Sequence, residues 1–305
     1  MPNKLRVGTD CSGIEAPIEA LKQLEIPYTH VFSSEIDKYC IETIVANHDP
    51  KILFGHDEGY PEGDITKRDI NEVPDIDLYV CGFPCQPFSD AGKRNGTKDK
   101  RGNVFWGCYS VITKVLPKYF ILENVKGILS TNNGEDWCII EDALKDFRDL
   151  GYQVEWKVLN TKDYGIPQNR ERLYIVGTKG KKFVWPTSKK CKPLSNYIDY
   201  KSNHQDKLRD SAKPYMSKFK KQYFVDLGFV KRNKYNNGDK IAPCILTTSV
   251  NYWCVPLQRY ATPKELLSLQ GFINLKQVVS NHQYKRQIGN SMSVNVLKEI
   301  LSNLI

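Results

Sequence analysis

The sequence predicts an α/β fold, an open and mostly parallel sheet flanked by helices, with a second and smaller lobe. Three observations predict it. Short apolar runs alternate with stretches of helical spacing through the first 178 residues, polar or reactive residues follow the carboxyl end of run after run, and from Lys179 the composition turns basic, loop-rich and proline-punctuated. A chain of 305 residues has room for two lobes sharing a core.

Leu5–Thr9 is a short apolar run that ends at the turn Asp10-Cys11-Ser12-Gly13-Ile14-Glu15, after which Ala16, Ile18, Ala20, Leu21 and Leu24 fit a helix. Strand, turn and helix open a nucleotide-binding unit. His30–Ser34 is a second strand, followed by Glu35 and a helical stretch from Asp37 to Asn47; Asp77–Cys81 leads into Gly82-Phe83-Pro84-Cys85, and Tyr119–Leu122 into Glu123-Asn124. Open α/β sheets bind ligands at that end of their strands. Glu135–Leu150 has helical spacing, with Ile139, Ile140, Ala143, Leu144, Phe147 and Leu150 on one side and Gly151 to stop it. Tyr152–Leu159 and Leu173–Thr178 alternate as strands, and helical patterns return at Pro263–Gln270 and Ser293–Leu304.

Hydrophobic residues at 40% and charged residues at 26% are ordinary for a globular protein and exclude disordered or fibrous classes. Asp10, Glu15 and Glu19 interrupt any secretory core near the start, and no later run reaches spanning length, so an intracellular protein is expected, in cytoplasm or nucleoid for a bacterial or phage source. The nine cysteines form no CxxC pair and no Cys/His cluster, so reduced thiols and no metal are expected. Net charge is +9, but Lys179–Lys240 alone carries +12 and interleaves its lysines with aromatics such as Trp185, Tyr215 and Phe224. Lysine neutralises phosphates and rings stack on bases, which suits nucleic acid, although a solvated basic face has the same composition.

Pro84-Cys85-Gln86-Pro87 is the most specific feature. A cysteine at a strand-to-loop junction faces a cleft, and flanking prolines aim its sulfur. GFPCQPFS (Gly82–Ser89), ENV (Glu123–Val125), QNRER (Gln168–Arg172) and GNS (Gly289–Ser291), in that order, resemble the cytosine-C5 DNA methyltransferases over nearly the whole chain except the basic segment.

That resemblance implies a Rossmann-like sheet dependent on S-adenosyl-L-methionine (SAM) with a smaller target-recognition lobe: a catalytic domain at 1–178, a recognition domain at 179–284, and a C-terminal helix at 285–305 returning to the first. It implies that the Cys85 thiolate attacks carbon 6 of a flipped cytosine, making carbon 5 enamine-like and able to accept methyl. Glu123 would stabilise the ring at N3, Asn124 would orient it, and Arg170 and Arg172 would hold the base; if Arg170 begins a strand, the two arginines share a face. Asp10, Cys11, Ser12, Gly13, Ile14, Glu35, Ile36, Asp64, Ile65, Gly82, Asn290 and Ser291 are implied as SAM contacts. Pro84, Gln86, Ser89, Lys93, Arg94, Thr247 and Thr248 are implied as substrate contacts, with Asp90–Gly102 a mobile catalytic loop. The first turn departs from the family, which has Leu-Phe and three glycines where this chain has Cys11-Ser12-Gly13-Ile14-Glu15.

The expected partner is double-stranded DNA, bound sequence-specifically by a monomer without metal or membrane, in a restriction–modification setting with a cognate endonuclease or in an orphan or viral one. Transfer-RNA cytosine methylation and a catalytically inactive DNA-binding regulator stay open as alternatives. A dinucleotide oxidoreductase lacks support, since the chain has no GxGxxG turn.

Overall fold

The computed structural model describes residues 4–84, 104–202, 204–228, 230, 240–247 and 251–305. They pack as two units: the first holds residues up to Leu159 with Glu171–Pro186 and Lys298–Ile305, and the second holds Asn160–Arg170 and Thr187–Leu297.

In the first unit, β1 (Leu5–Asp10), β2 (Tyr28–Ser34), β3 (Ile52–Phe54), β4 (Leu78–Cys81), β5 (Tyr119–Val125), β6 (Gln153–Asn160) and β7 (Glu171–Thr178) form a seven-stranded sheet in the order β3-β2-β1-β4-β5-β7-β6. The first five of these in sheet order pair in parallel, and β7 runs antiparallel to β5. Because the chain winds outward from β1 to β3 and then resumes at β4 on the other side, the sheet has its switch point between β1 and β4. A ligand crevice belongs at the carboxyl ends of those two strands.

Helices α1 (Ala16–Gln23), α2 (Lys38–Asn47), α3 (Val104–Val115) and α4 (Glu135–Asp149) connect the strands. Asp37 caps α2 by accepting from the N–H groups of Tyr39 and Cys40. The main core joins Phe32, Phe54, Tyr79, Phe120 and Leu122 of the sheet to Phe105 and Val111 of α3 and to Ile140, Leu144 and Phe147 of α4. Two residues expected on the buried face of α4, Ile139 and Leu150, are 36% and 40% exposed. The stripe that packs is Trp137, Ile140, Ala143, Leu144 and Phe147, whose i, i+3, i+4 spacing keeps to one face while Ile139 is a hundred-degree step away.

Glu123 and Asn124, expected just beyond a strand, lie inside β5, which continues to Val125 because β7 pairs along its full length from Tyr119 to Val125. The helix α3 and the strand β3 had no counterpart in the expectation.

The second unit contains a three-stranded antiparallel sheet of β8 (Phe224–Asp226), β9 (Tyr252–Cys254) and β10 (Arg259–Tyr260), with helices α5 (Pro263–Leu269) and α6 (Asn281–Asn290). Its core gathers Phe219, Val225, Leu227 and Trp253, with the Trp253 and Tyr260 rings 5.2 Å apart edge to face. A buried ion pair, Arg259 Nη2 to Glu265 Oε1 at 2.7 Å, fixes β10 to α5, and Glu265 also closes a capping box with Thr262. The last helix, α7 (Val294–Leu304), begins in this unit, and its residues from Lys298 onward pack in the first, where Lys298 Nζ donates to Gln23 Oε1 at 3.1 Å.

Candidate active site

At the carboxyl end of β1 the chain turns sharply, with Cys11, Gly13 and Glu15 at φ of 49°, 58° and 61°. Left-handed backbone at two residues that are not glycine is held by neighbours. The Ser12 N–H donates to the Ser34 carbonyl at 3.1 Å and Ser12 Oγ accepts from the Ser34 N–H at 3.0 Å, so the ends of β1 and β2 are laced together. That places Gly13 against Glu35, whose Oε2 accepts the Gly13 N–H at 2.8 Å while Oε1 accepts those of Ile36 and Asp37 at 2.8 and 3.0 Å. Burial pushes the Glu35 carboxyl up, against the pull of these three backbone donors.

The segment Glu62–Asp64 is pulled against the same corner. Ser34 Oγ donates to the Gly63 carbonyl at 2.9 Å, and a Cβ on Gly63 would lie 2.3 Å from the Glu35 carbonyl, so no other residue fits without a shift. Asp64 then stands beside Glu35's loop, accepting from the N–H and hydroxyl of Thr66 at 3.0 and 2.7 Å and pairing with Lys67 Nζ at 3.1 Å. Burial opposes ionisation there, but the Thr66 and Lys67 bonds outweigh it and hold the carboxyl below its ordinary range. Ile36 is 74% exposed beside these carboxylates. Two acidic acceptors and an exposed apolar side chain at a switch point fit a nucleoside with a ribose diol and an amino-bearing ring.

Four implied cofactor contacts turn inward instead. The Asp10 carboxylate is fully buried; Arg68 grips it in a fork at 2.8 and 3.0 Å and the Tyr79 hydroxyl donates to it at 2.7 Å. Ile65 is core, packed against Gly107 of α3. Ile14 is wholly buried, and the Cys11 side chain packs on the main core beside Cys81. What Asp10, Cys11 and Ile14 present to a ligand is therefore backbone. Arg68 was missed, being 58 residues from its partner with no motif around it.

At the carboxyl end of β5, Arg172 Nε lies 3.3 Å from Glu123 Oε1, with side-chain exposures of 12% and 10%. Glu123 faces Tyr174 across the β5–β7 pair and Arg172 is two residues on, hence on the same face. The strand reversal is what brings them together. Asn124 serves a different neighbour: its Nδ2 donates to the Phe83 carbonyl at 2.9 Å, tying β5 to the segment Gly82–Pro84 that leads to Cys85. Cys85, Gln86, Ser89, Lys93, Arg94 and the loop Asp90–Gly102 lie outside the described residues, as does Thr248.

Arg170 does not share a strand face with Arg172, because β7 begins only at Glu171. It is 2% exposed in the second unit, where Nη1 donates to the Ile245 and Gly289 carbonyls at 2.8 and 3.2 Å and Nη2 to the Ser291 carbonyl at 2.6 Å. Gln270 Nε2 donates to the same Ser291 carbonyl at 2.7 Å, and Gln168 reaches Gln270, Leu269 and the Ile245 N–H. Gly289 allows this packing, since a Cβ there would sit 2.5 Å from the Leu246 carbonyl carbon and 2.8 Å from the Thr247 nitrogen. Ser291 and Thr247 are thereby gathered into one polar cluster, while Asn290 is exposed at its edge. The sequence named Gln168 only as the first residue of its motif, and gave no sign of what Gln270 does.

The sequence profile of the C-5 cytosine-specific DNA methylases matches residues 9–253, most of the chain, with the Glu35 corner and the Glu123–Arg172 pair inside the match. The chain belongs to the C-5 cytosine-specific DNA methylase family. As a family member it is a SAM-dependent methyltransferase of the cytosine-C5 class. It is 34% identical over 287 residues to the Type II methyltransferase M.BsuFI of Bacillus subtilis, an alignment covering 88% of this chain and 65% of that protein. To the Type II methyltransferase M.HaeII of Haemophilus aegyptius it is 36% identical over 299 residues, covering 90% of this chain and 86% of that one. In fold, the S. pombe Dnmt2 methyltransferase superimposes with a TM-score of 0.68 at 21% identity, over 99% of this chain and 98% of the other. Among the described residues, no group of three or more His, Cys, Asp or Glu has the geometry to hold a metal, and no helix is long and apolar enough to cross a membrane.

Proposed function

We propose that this methylase transfers methyl from SAM to carbon 5 of a cytosine flipped out of duplex DNA at a specific sequence, in a Type II or phage-orphan setting, with Cys85 as nucleophile. The observation that carries the reading is the Glu123–Arg172 pair: a carboxylate and a guanidinium set side by side and nearly buried at the end of β5, one strand from the segment that delivers Cys85. A pyrimidine ring presents N3 and an exocyclic amine on one edge and a carbonyl beside them. A fixed carboxyl suits the first pair and a guanidinium the carbonyl.

SAM, when bound, supplies a methyl group on a sulfonium, to be taken by a carbon nucleophile. Glu35 and Asp64 would hold its ribose and ring, and exposed Ile36 would lie against the ring. The rest of the work belongs to the chain. The Cys85 thiolate adds to carbon 6 of cytosine, Glu123 stabilises the ring at N3 by a strong hydrogen bond, and carbon 5 becomes nucleophilic; after transfer, loss of the carbon-5 proton and expulsion of the thiolate restore aromaticity. Asn124 positions Cys85 through the Phe83 carbonyl, and Arg172 positions Glu123. Arg170, with its donors on carbonyls, is a positioning residue for the Gly289–Ser291 segment rather than a ligand of the base.

Tritiated SAM incubated with plasmid DNA, total RNA or free cytidine tests the reading, with methyl located by bisulfite sequencing and Cys85→Ala run alongside. Label on DNA cytosine that is lost in Cys85→Ala supports it. Label on RNA alone, or label on DNA that survives the substitution, overturns it.

A further inference from the structure

Glu15 is a carboxylate where an ordinary turn would place glycine: its φ is 61° and its side chain is completely buried. Such a residue is costly twice over, in backbone strain and in desolvation, and persists only where its surroundings fix it. They do so through one oxygen. Oε1 accepts the Thr9 hydroxyl at 2.7 Å and the Ser33 hydroxyl at 2.6 Å, one from each strand that carries the SAM corner.

Counting protons orders the rest. Since Thr9 gives its proton to Glu15, the one Ser12 hydroxyl proton is shared between Thr9 Oγ1 at 2.8 Å and the Thr9 carbonyl at 3.1 Å. Since Ser33 gives its proton to Glu15 as well, His30 Nε2, at 2.9 Å from Ser33 Oγ, carries a proton and donates. Ser12 in turn accepts the Ser34 N–H, and the residue after Ser34 is Glu35. One buried charge thus reaches both partners of the Gly13–Glu35 bond through hydroxyls.

The charge is balanced from several elements. His30 of β2 stands 3.5 Å from Oε1; His48, following α2, and Lys22 of α1 lie 3.3 Å from each other; Glu19 of α1 pairs with Lys22 at 3.0 Å, and Tyr28 opens β2 nearby. Burial pushes the Glu15 carboxyl up, but His30 and the Ser33 hydroxyl beside it outweigh this and leave it below the ordinary range. A cavity of about 480 Å³ bordered by Lys22, Tyr28, His30 and His48 lies beside this cluster.

We propose that Glu15 is a positioning residue for the SAM turn, holding the ends of β1 and β2 in register so that the corner closed by the Gly13–Glu35 bond is preformed for the methyl donor. The proposal rests on SAM binding at this corner. It places the effect of Glu15 on donor affinity and leaves turnover to Cys85 and Glu123.

Glu15→Gln keeps the shape and the acceptor and removes the charge that strengthens both hydroxyl bonds. The expected result is a rise of about tenfold in KM for SAM, and in its Kd measured by calorimetry without DNA, with kcat at saturating SAM within about twofold of the unchanged enzyme. Glu15→Ala, which leaves two buried hydroxyls without an acceptor, raises KM further. Should Glu15→Gln fail to fold, Ser33→Ala keeps the carboxylate, removes one of its two donors, and is expected to raise KM about threefold. A folded Glu15→Gln protein with KM within about twofold of the unchanged enzyme, or with kcat falling while KM holds, overturns the proposal. If the unchanged enzyme binds no SAM, the assignment of the corner itself fails, an outcome distinct from equal binding by both proteins.

Discussion

Glu123 and Arg172 illustrate what one residue does and what its neighbour does for it. Replacing the carboxyl by an amide of the same shape removes the group that can hold a proton at N3. Glu123→Gln is therefore expected to lower kcat by about 10²- to 10⁴-fold with SAM affinity unchanged, read from single-turnover methylation and calorimetry. Arg68 is the opposite case, a cation whose work is structural. Arg68→Met leaves Asp10 charged and buried with Tyr79 as its remaining partner, and is expected to cost about 3–5 kcal/mol in urea denaturation. At this scale the motif residues were legible because their chemistry needs particular side chains in a particular order. Arg68 and Gln270 were not, because each answers a partner 58 or more residues away that only folding supplies.

At the scale of elements, the corner after α2 brings a pH dependence. Burial lowers His48 from its ordinary value near 6.5 to about 4, so the folded protein keeps it neutral where the unfolded chain protonates it. The unfolded state binds the extra proton between those two values, so the contribution is whole above about pH 6.5 and is lost as pH falls toward 4, by on the order of 3 kcal/mol. Urea midpoints measured across that window should fall with acid, and His48→Gln should flatten the slope. A second prediction belongs to the close approach at the end of α6: Gly289→Ala must push Leu246 and Thr247 away, with an expected cost of about 1–3 kcal/mol and a matching fall in melting temperature. The strands β1, β2, β4, β5, β6 and β7 and the helices α1, α2, α4, α5 and α7 were legible from periodicity. The length of β5 was not, because its last residues are strand only through pairing with β7, and the short strands β8 to β10 carry too few residues for any period to show.

Across the whole molecule, the positive charge concentrated between Lys179 and Lys240 predicts binding to duplex DNA that weakens steeply with salt. If six or more phosphates are neutralised, affinity should fall by about 10³-fold or more from 50 to 200 mM salt, whichever sequence is bound. Composition showed that basic segment but could not show that residues 160–170 pack with the second unit while 171–186 pack with the first. That division falls between Arg170 and Arg172, and two arginines of one motif accordingly meet different partners, backbone carbonyls for Arg170 and Glu123 for Arg172.

The central claim is that Cys85 attacks a cytosine in DNA, and the most direct measurement traps that bond. In a duplex copied with 5-fluorocytosine in place of cytosine, carbon 5 carries fluorine and has no proton to lose after methylation, so the thiolate cannot be expelled. Incubated with this duplex and SAM, the protein should become covalently attached to DNA, with the adduct on the peptide containing Cys85 in a mass spectrum. Attachment through another residue, or no attachment by a protein that still methylates ordinary DNA, would contradict the account.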